Sequence, residues 1–207
     1  GGTPGTALTD VYVVSNHIVV GMRADALPKV GVIDMSSAGD IFIVGPDGDA
    51  DDLVGVRVVD ADEDGSALRV ALEYYTRQIR VIDYRYVDGK SVEIPFDMEE
   101  PDISTRFIAT REYVRSGGVD IPMTFVRSEE VRPDGRAPGV LVAYGCYQSC
   151  LDPAFTNNWL ELLQRGVVIV YAHVRGGGEM GSWWHEQGRG INKVNSLMDF
   201  DVCARYA

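Results

Sequence analysis

Residues 138–145 read Pro138-Gly139-Val140-Leu141-Val142-Ala143-Tyr144-Gly145, and residues 166–174 read Gly166-Val167-Val168-Ile169-Val170-Tyr171-Ala172-His173-Val174. Each is a continuous apolar run of the kind that forms a strand covered on both faces, so the first is predicted as a central strand and the second as a buried one. Between them Phe155, Trp159, Leu160, Leu162 and Leu163 fall on one face of a helix. Pro153 lies ahead of that helix, and Gly166 sits where a C-terminal glycine stop belongs. Strand, helix and strand in this order imply a βαβ unit, with parallel strands and a right-handed crossover.

Downstream, a last helix is predicted to start at Asn195 or Ser196, with Asp199 near the positive end of its dipole. Leu197, Phe200 and Ala204 share one face of it, and Met198, Val202 and Tyr206 an adjacent one. The sequence stops inside this helix without a cap or a glycine, so the chain is expected to belong to something longer. Upstream, beginning near Pro101, Phe107 to Val114 and Val119 to Val126 read as two strands joined around Ser116-Gly117-Gly118.

The first hundred residues have a different texture. Val11 to Val14, Ile18 to Met22, Val30 to Asp34 and Ile41 to Val44 are β-branched runs separated by Gly, Asp, Asn and Pro. The pattern recurs: Val30 to Asp34 is echoed by Ile79 to Asp83, Ile18 to Val20 by Leu68 to Val70, and Ile41 to Ile43 by Val92 to Ile94, at offsets of 49, 50 and 51 residues. A four-strand meander with that period is the expected spacing of β-propeller blades. Two unrelated hairpins in a sandwich are the alternative, and the near-constant offset favours the repeat.

The 207 residues carry 31 acidic and 19 basic side chains, a formal charge of −12. That balance argues against a polyanionic partner such as nucleic acid, which is recognised through clustered Lys and Arg. It leans mildly towards cationic ligands. No apolar run approaches the ~20 residues of a membrane-crossing helix, and the opening Gly1-Gly2-Thr3-Pro4-Gly5 has no signal-peptide character. Three cysteines cannot all pair, which fits a reducing, cytoplasmic setting.

Chemistry is concentrated after the second buried strand, in Arg175-Gly176-Gly177-Gly178-Glu179-Met180-Gly181. Gly176, Gly178 and Gly181 satisfy G-x-G-x-x-G, and Asp199 follows some twenty residues later, in outline a dinucleotide fingerprint. Against it, Gly188 and Gly190 interrupt the helix that should follow, and Asp199 falls in a helical pattern. The alternative is a tight glycine loop braced by an Arg175–Glu179 pair. Cys146, Cys150, His173 and His185 lack the spacing of a zinc site and read as structural thiols and imidazoles. Trp183-Trp184 reads as packing, and nothing places a nucleophile beside His185. No serine occupies the G-x-S-x-G elbow of an α/β-hydrolase; Ser37 and Ser182 each lack one flanking glycine.

One ordered series gathers these segments. Ala143-Tyr144-Gly145-Cys146-Tyr147, Leu162-Leu163-Gln164-Arg165-Gly166, Ala172-His173-Val174-Arg175-Gly176-Gly177-Gly178-Glu179-Met180-Gly181, Trp184-His185-Glu186-Gln187-Gly188, and Lys193-Val194-Asn195-Ser196 running into Asp199-Phe200 together resemble the prolyl oligopeptidase family of serine peptidases, on its oligopeptidase B side. Upstream, Arg111 to Val126 resembles the entry strands of the peptidase domain. Leu68 to Ile94 resembles the last propeller blade, with Tyr75-Thr76 at a Ser/Thr-rich turn of the family.

The resemblance implies a seven-bladed propeller capping an α/β-hydrolase domain, with residues 1–100 in the last blades and 101–207 in the first part of the peptidase domain. It implies hydrolysis of short peptides, in the oligopeptidase B branch after Arg or Lys, by a Ser-His-Asp triad. All three triad residues lie beyond the closing Asp-Phe helix in this family, so His17, His173 and His185 are not candidates and the chain alone is expected to be inactive. Tyr144 matches the tyrosine whose hydroxyl supplies half of the oxyanion hole, the alternative being a residue that only packs at a strand end. Tyr147 matches an aromatic near the substrate, while Arg175, Gly176, Gly177 and Glu179 form a structural loop. No cofactor or metal is implied, and the partners are short peptides rather than nucleic acid or membrane. The sequence departs from the family at Val142-Ala143, where relatives have a first Tyr-Gly, at Gln148, where glycine is common, and at Val114-Arg115-Ser116-Gly117-Gly118, where an Asp-Gly turn is usual. A non-catalytic peptide-binding relative and a dinucleotide-dependent oxidoreductase are the rival readings.

Overall fold

Alternation of β-branched and polar residues, broken by turns, folds the front of the chain into two antiparallel meanders. The computed structural model describes residues 6–36, 39–46, 53–62, 65–95 and 106–207. The first sheet runs β1 (Thr6–Val14), β2 (His17–Ala24), β3 (Leu27–Asp34) and β4 (Ile41–Val44), each strand beside the next. The second repeats it with β5 (Gly55–Ala61), β6 (Ala67–Glu73), β7 (Arg80–Arg85) and β8 (Ser91–Ile94). The three sequence echoes fall on β2 and β6, β3 and β7, and β4 and β8, as the blade repeat requires. The first strands match too: β1 carries a bulge between Leu8 and Asp10, and β5 one between Val58 and Asp60, fifty residues on. The turn between β2 and β3 places Asp25 and Ala26 at φ 53° and 57°, the double left-handed geometry of a type I′ hairpin.

The two sheets share one apolar core. Val19, Val30, Val32 and Val44 of the first meet Val56, Leu68, Val70, Leu72 and Ile82 of the second, all buried. Such face-to-face stacking is how propeller blades bury sides that neither could cover alone.

The rest of the chain is α/β. In order come β9 (Phe107–Ser116), β10 (Val119–Ser128), β11 (Gly139–Val142), α1 (Asn157–Gln164), β12 (Val168–Ala172), α2 (Ser182–Glu186), a 3-10 turn at Gly190–Asn192, and α3 (Lys193–Tyr206). The third sheet has the order β11-β12-β10-β9, with β11 parallel to β12 and the other pairs antiparallel. The βαβ unit is present, and Gly166 at φ 80° closes α1 in a Schellman motif. There the Val167 N–H donates to the Leu162 carbonyl and the Gly166 N–H to that of Leu163, each at 3.0 Å.

Two expectations need correction. The run from Gly139 is a four-residue strand at the edge of the sheet among the described residues, not a central one. Its side chains do meet two cores, Val140 and Val142 beneath α1 and Leu141 and Ala143 on the opposite face. Apolarity on both faces reports cover above and below, not a strand on each side. The last helix begins at Lys193, earlier than Asn195, and its buried stripe is Ser196, Asp199 and Cys203. The apolar faces read from the sequence point outward, with Leu197, Met198, Phe200 and Tyr206 exposed.

The sheets are tied together at a seam. Leu27 of the first sheet and Tyr75, in the connection between β6 and β7, join Phe107, Val126, Ile169 and Leu163 in the core under α1. Asp152, in the loop between β11 and α1, bridges Arg23 of β2 at 2.5 Å and Arg57 of β5 at 3.0 Å. The Tyr75 hydroxyl donates to the Leu151 carbonyl at 3.2 Å. No helix among the described residues is long and apolar enough to cross a membrane. The expected division near residue 100 and Ser37 lie outside the described residues.

Candidate active site

The segments singled out in the sequence meet in one knot at the ends of β11 and β12. Gly145, at φ 63°, follows Tyr144 and turns the chain against the second strand's exit. A Cβ there would come 2.6 Å from Val174 and 3.0 Å from the Arg175 carbonyl. On Gly176 it would lie 2.1 Å from the Gly145 carbonyl, and on Gly188 2.2 Å from the Gly176 nitrogen. Three backbones thus touch where only glycine fits. Polar side chains complete the knot. Lys193 Nζ donates to the Gly145 carbonyl at 2.5 Å and lies 3.2 Å from Cys146 Sγ. Ser196 Oγ donates to the Arg175 carbonyl at 2.5 Å, and Asn195 Nδ2 to that of Gln187 at 2.8 Å.

Arg175 anchors the loop, and its partner is Asp199 rather than the expected Glu179. Asp199 accepts from Arg175 Nη2 at 2.6 Å, from its Nε at 2.8 Å and from its backbone N–H at 3.1 Å. Ser116 Oγ, at the end of β9, adds a fourth bond at 2.7 Å. Arg175 is 4% exposed and Asp199 fully buried, so water offers neither charge an alternative. Asp199 is therefore neither a helix-dipole residue nor free to meet a ribose, and the close-packed glycines leave no cradle for a pyrophosphate. The G-x-G-x-x-G spacing is a packing feature here.

Glu179 is buried elsewhere. Its Oε1 accepts from the Leu151 N–H at 3.1 Å, and it stands 3.8 Å from His173 Nδ1, beyond hydrogen-bond reach. His173, fully buried, meets Thr124 Oγ1 through Nε2 at 2.9 Å, and Trp184 Nε1 donates to its carbonyl at 3.1 Å. Burial drives the His173 pKa below its ordinary 6.5, with Glu179 opposing and the Arg111 charge reinforcing the shift. His185 Nδ1 lies 2.7 Å from the Gly176 carbonyl, a structural tie with no nucleophile beside it. His17 stacks on Tyr86 in the blades, at 4.1 Å between ring centroids. Ser182 is exposed in the first turn of α2 and is no elbow. Cys146, Cys150 and Cys203 are free thiols, and burial pushes those of Cys150 and Cys203 up to about 12. Among the described residues no three His, Cys, Asp or Glu side chains gather closely enough to hold a metal ion.

What the knot presents outward is the aromatic turn. Tyr144 is 51% exposed and Tyr147 85%, and neither hydroxyl has a partner among the described residues. Tyr147 and Gln148 both lie in the left-handed region, at φ 53° and 58°. Two non-glycine residues in succession there cost of order 1–3 kcal/mol each, and the Gln148 N–H is held by the Gly176 carbonyl at 3.3 Å. Gln148 stands at the position where the sequence departs from a glycine, and its φ is one that glycine adopts freely. Sequence reading missed Lys193, Ser116 and Asp152 as supports of this site. Their partners lie dozens of residues away, and no local spacing marks them.

Comparison with known proteins gives this geometry a context. The model of the prolyl oligopeptidase family matches residues 153–207. A dipeptidyl aminopeptidase BI of Pseudoxanthomonas mexicana is 40% identical over 99 residues, and a protease 2 of Moraxella lacunata 46% identical over 89. Oligopeptidase B from Trypanosoma brucei, solved in a closed form with covalently bound antipain, superposes on 100% of this chain and 30% of its own, with a TM-score of 0.85 at 24% identity. Residues 153–207 are thus similar to the prolyl oligopeptidase family, and the fold of the whole chain to that of oligopeptidase B. The chain covers 47% and 43% of itself in the two sequence matches, and spans only 14% and 13% of those relatives' lengths. In the family's architecture the two meanders are propeller blades, and the third sheet with its helices opens the α/β-hydrolase domain.

Two measurements probe the knot. Replacing Asp199 with Asn leaves Arg175 buried without its counter-charge, a loss of about 3–5 kcal/mol, read as a lower urea midpoint at neutral pH. His173 supplies a pH signature. Its folded pKa is depressed, so its contribution to stability is complete above 6.5, the ordinary histidine value, and drains as pH falls towards the folded value. Unfolding free energy should decline between about pH 6.5 and 5, ahead of carboxylate titration. His173→Gln should flatten that limb, and an unchanged decline would assign it to another group.

Proposed function

We propose that the protein to which this chain belongs is a serine oligopeptidase, in which residues 1–100 complete the propeller and residues 101–207 begin the catalytic domain. The observation that carries the reading is Tyr144. It stands at the end of the parallel β11–β12 pair, fixed from below by the glycine knot, with its hydroxyl facing outward and unpartnered among the described residues. A phenol fixed in this way can donate to the oxygen of a peptide carbonyl as a seryl hydroxyl adds to its carbon and negative charge gathers on that oxygen. The serine and its His and Asp partners are those the family places beyond the closing helix. The donor gains strength as the tetrahedral intermediate forms and so lowers the barrier more than it favours substrate binding. Tyr147, on the same turn, offers an aromatic face to a peptide side chain.

Cleavage after basic residues and a preference for short cationic peptides accord with the family resemblance and with the excess of 31 acidic over 19 basic side chains. A cytoplasmic site of action fits the three free thiols. No cofactor enters this chemistry.

In the protein extended to include the serine elbow, Tyr144→Phe should lower kcat by roughly 10²-fold with little change in KM. An unchanged rate would remove Tyr144 from the mechanism. The 207-residue chain alone should not cleave an Arg-containing peptide, and cleavage blocked by a serine-directed inhibitor would overturn the assignment of the nucleophile to residues outside it.

A further inference from the structure

Directly after Tyr144 and Gly145 comes a thiol that takes no part in the chemistry above. Cys146 is half-buried, and its backbone is held between Gly145 at φ 63° and Tyr147 at φ 53°. Its sulfur lies 3.2 Å from Nζ of Lys193, which is 47 residues further along the chain, in the first turn of α3. Lys193 is half-buried too. Two further acceptors keep its Nζ at the sulfur, the Gly145 carbonyl at 2.5 Å and Ser196 Oγ at 3.2 Å. A thiol and a primary amine thus stand in contact, each held in place, where a small solute can reach them.

The other two thiols are less suited to react. Burial pushes both up to about 12, so they stay protonated at neutral pH, and the thiolate is the reactive form. Cys203 is enclosed, and the Cys150 sulfur is turned to the Gln148 carbonyl at 3.7 Å. Cys146 combines partial exposure with a cation in contact, and Lys193 meets the negative charge that sulfur carries when it attacks an electrophile.

We propose that Cys146 and Lys193 form a redox modification site, at which a peroxide joins the two side chains through a sulfur–nitrogen bond and so fastens the aromatic turn to α3. The sulfur, as thiolate, attacks one peroxide oxygen: an S–O bond forms, the O–O bond breaks, and the departing hydroxide is protonated to water. Sulfur is oxidised by two electrons and the peroxide is reduced. Lys193, having released one proton to solvent, then turns its lone pair on the sulfenic sulfur. The S–N bond forms, the S–O bond breaks, and the oxygen leaves as a second water. One thiol, one ammonium and one hydrogen peroxide give one S–NH bridge, two waters and one proton. The site stands independently of the peptidase reading.

Hydrogen peroxide is the probe, added to the 207-residue chain at a few equivalents and followed by intact mass and by tryptic mapping without reductant. The oxidised chain should be two hydrogens lighter. Trypsin should no longer cut after Lys193, and the 137–165 peptide should travel joined to 190–205. Dithiothreitol should reverse both changes. Cys146→Ser should abolish the bridge, and so should Lys193→Arg, since a guanidinium keeps the positive charge without the primary amine. Cys150→Ser should leave the bridge intact. The map of the unsubstituted chain decides the question should a variant not fold. A Cys146–Cys150 disulfide, oxygen added at Cys146 with no bridge, or a bridge that persists in the Lys193 variant would overturn the site.

Discussion

A single buried carboxylate holds the end of this chain together. Asp199 gathers the Arg175 guanidinium, the Arg175 backbone and the Ser116 hydroxyl, and so pins a helix, a glycine loop and a strand end to one point. Arg175 cannot leave that point without exposing a bare charge to the interior, and the glycines beside it cannot move without breaking contact with Gly145. The position of Tyr144 follows from this chain of constraints. Its own strand is only four residues long, so the knot adds the constraint that the strand by itself does not supply.

The same logic of long-range charge holds the larger parts together. Asp152 receives one arginine from each propeller sheet, and Leu27 and Tyr75 extend the hydrolase core into the blades. The seam is therefore mixed, apolar under α1 and ionic beside it. Apolar contact supplies most of the attraction, while the ion pairs set which surfaces meet.

Much of this was legible in the sequence, for identifiable reasons. The blade repeat could be read because β-branched runs and their turns carry their signal locally, at near-constant offsets. The βαβ unit could be read because apolar runs and a helical period need no partner to be seen, and Gly166 marked its own turn. Three features were hidden. The β2–β3 hairpin uses Asp25-Ala26, where no glycine advertises a left-handed turn. The helix at Lys193–Tyr206 turns its polar stripe inward because Arg175 lies beneath it, so amphipathic reading pointed the wrong way. Arg175 itself was paired with Glu179 because the nearer acid is the natural guess, whereas the true partner is supplied by a later helix.

The twin bulges in the propeller sheets extend the repeat to its irregularities. An extra residue inserted in a strand disturbs the ladder and tends to persist once neighbours have adjusted to it. It sits on the same rung of β1 and β5, with an aspartate just after it in each. The two sheets repeat one four-strand meander down to its irregularity, so each blade's first strand bends at the same rung.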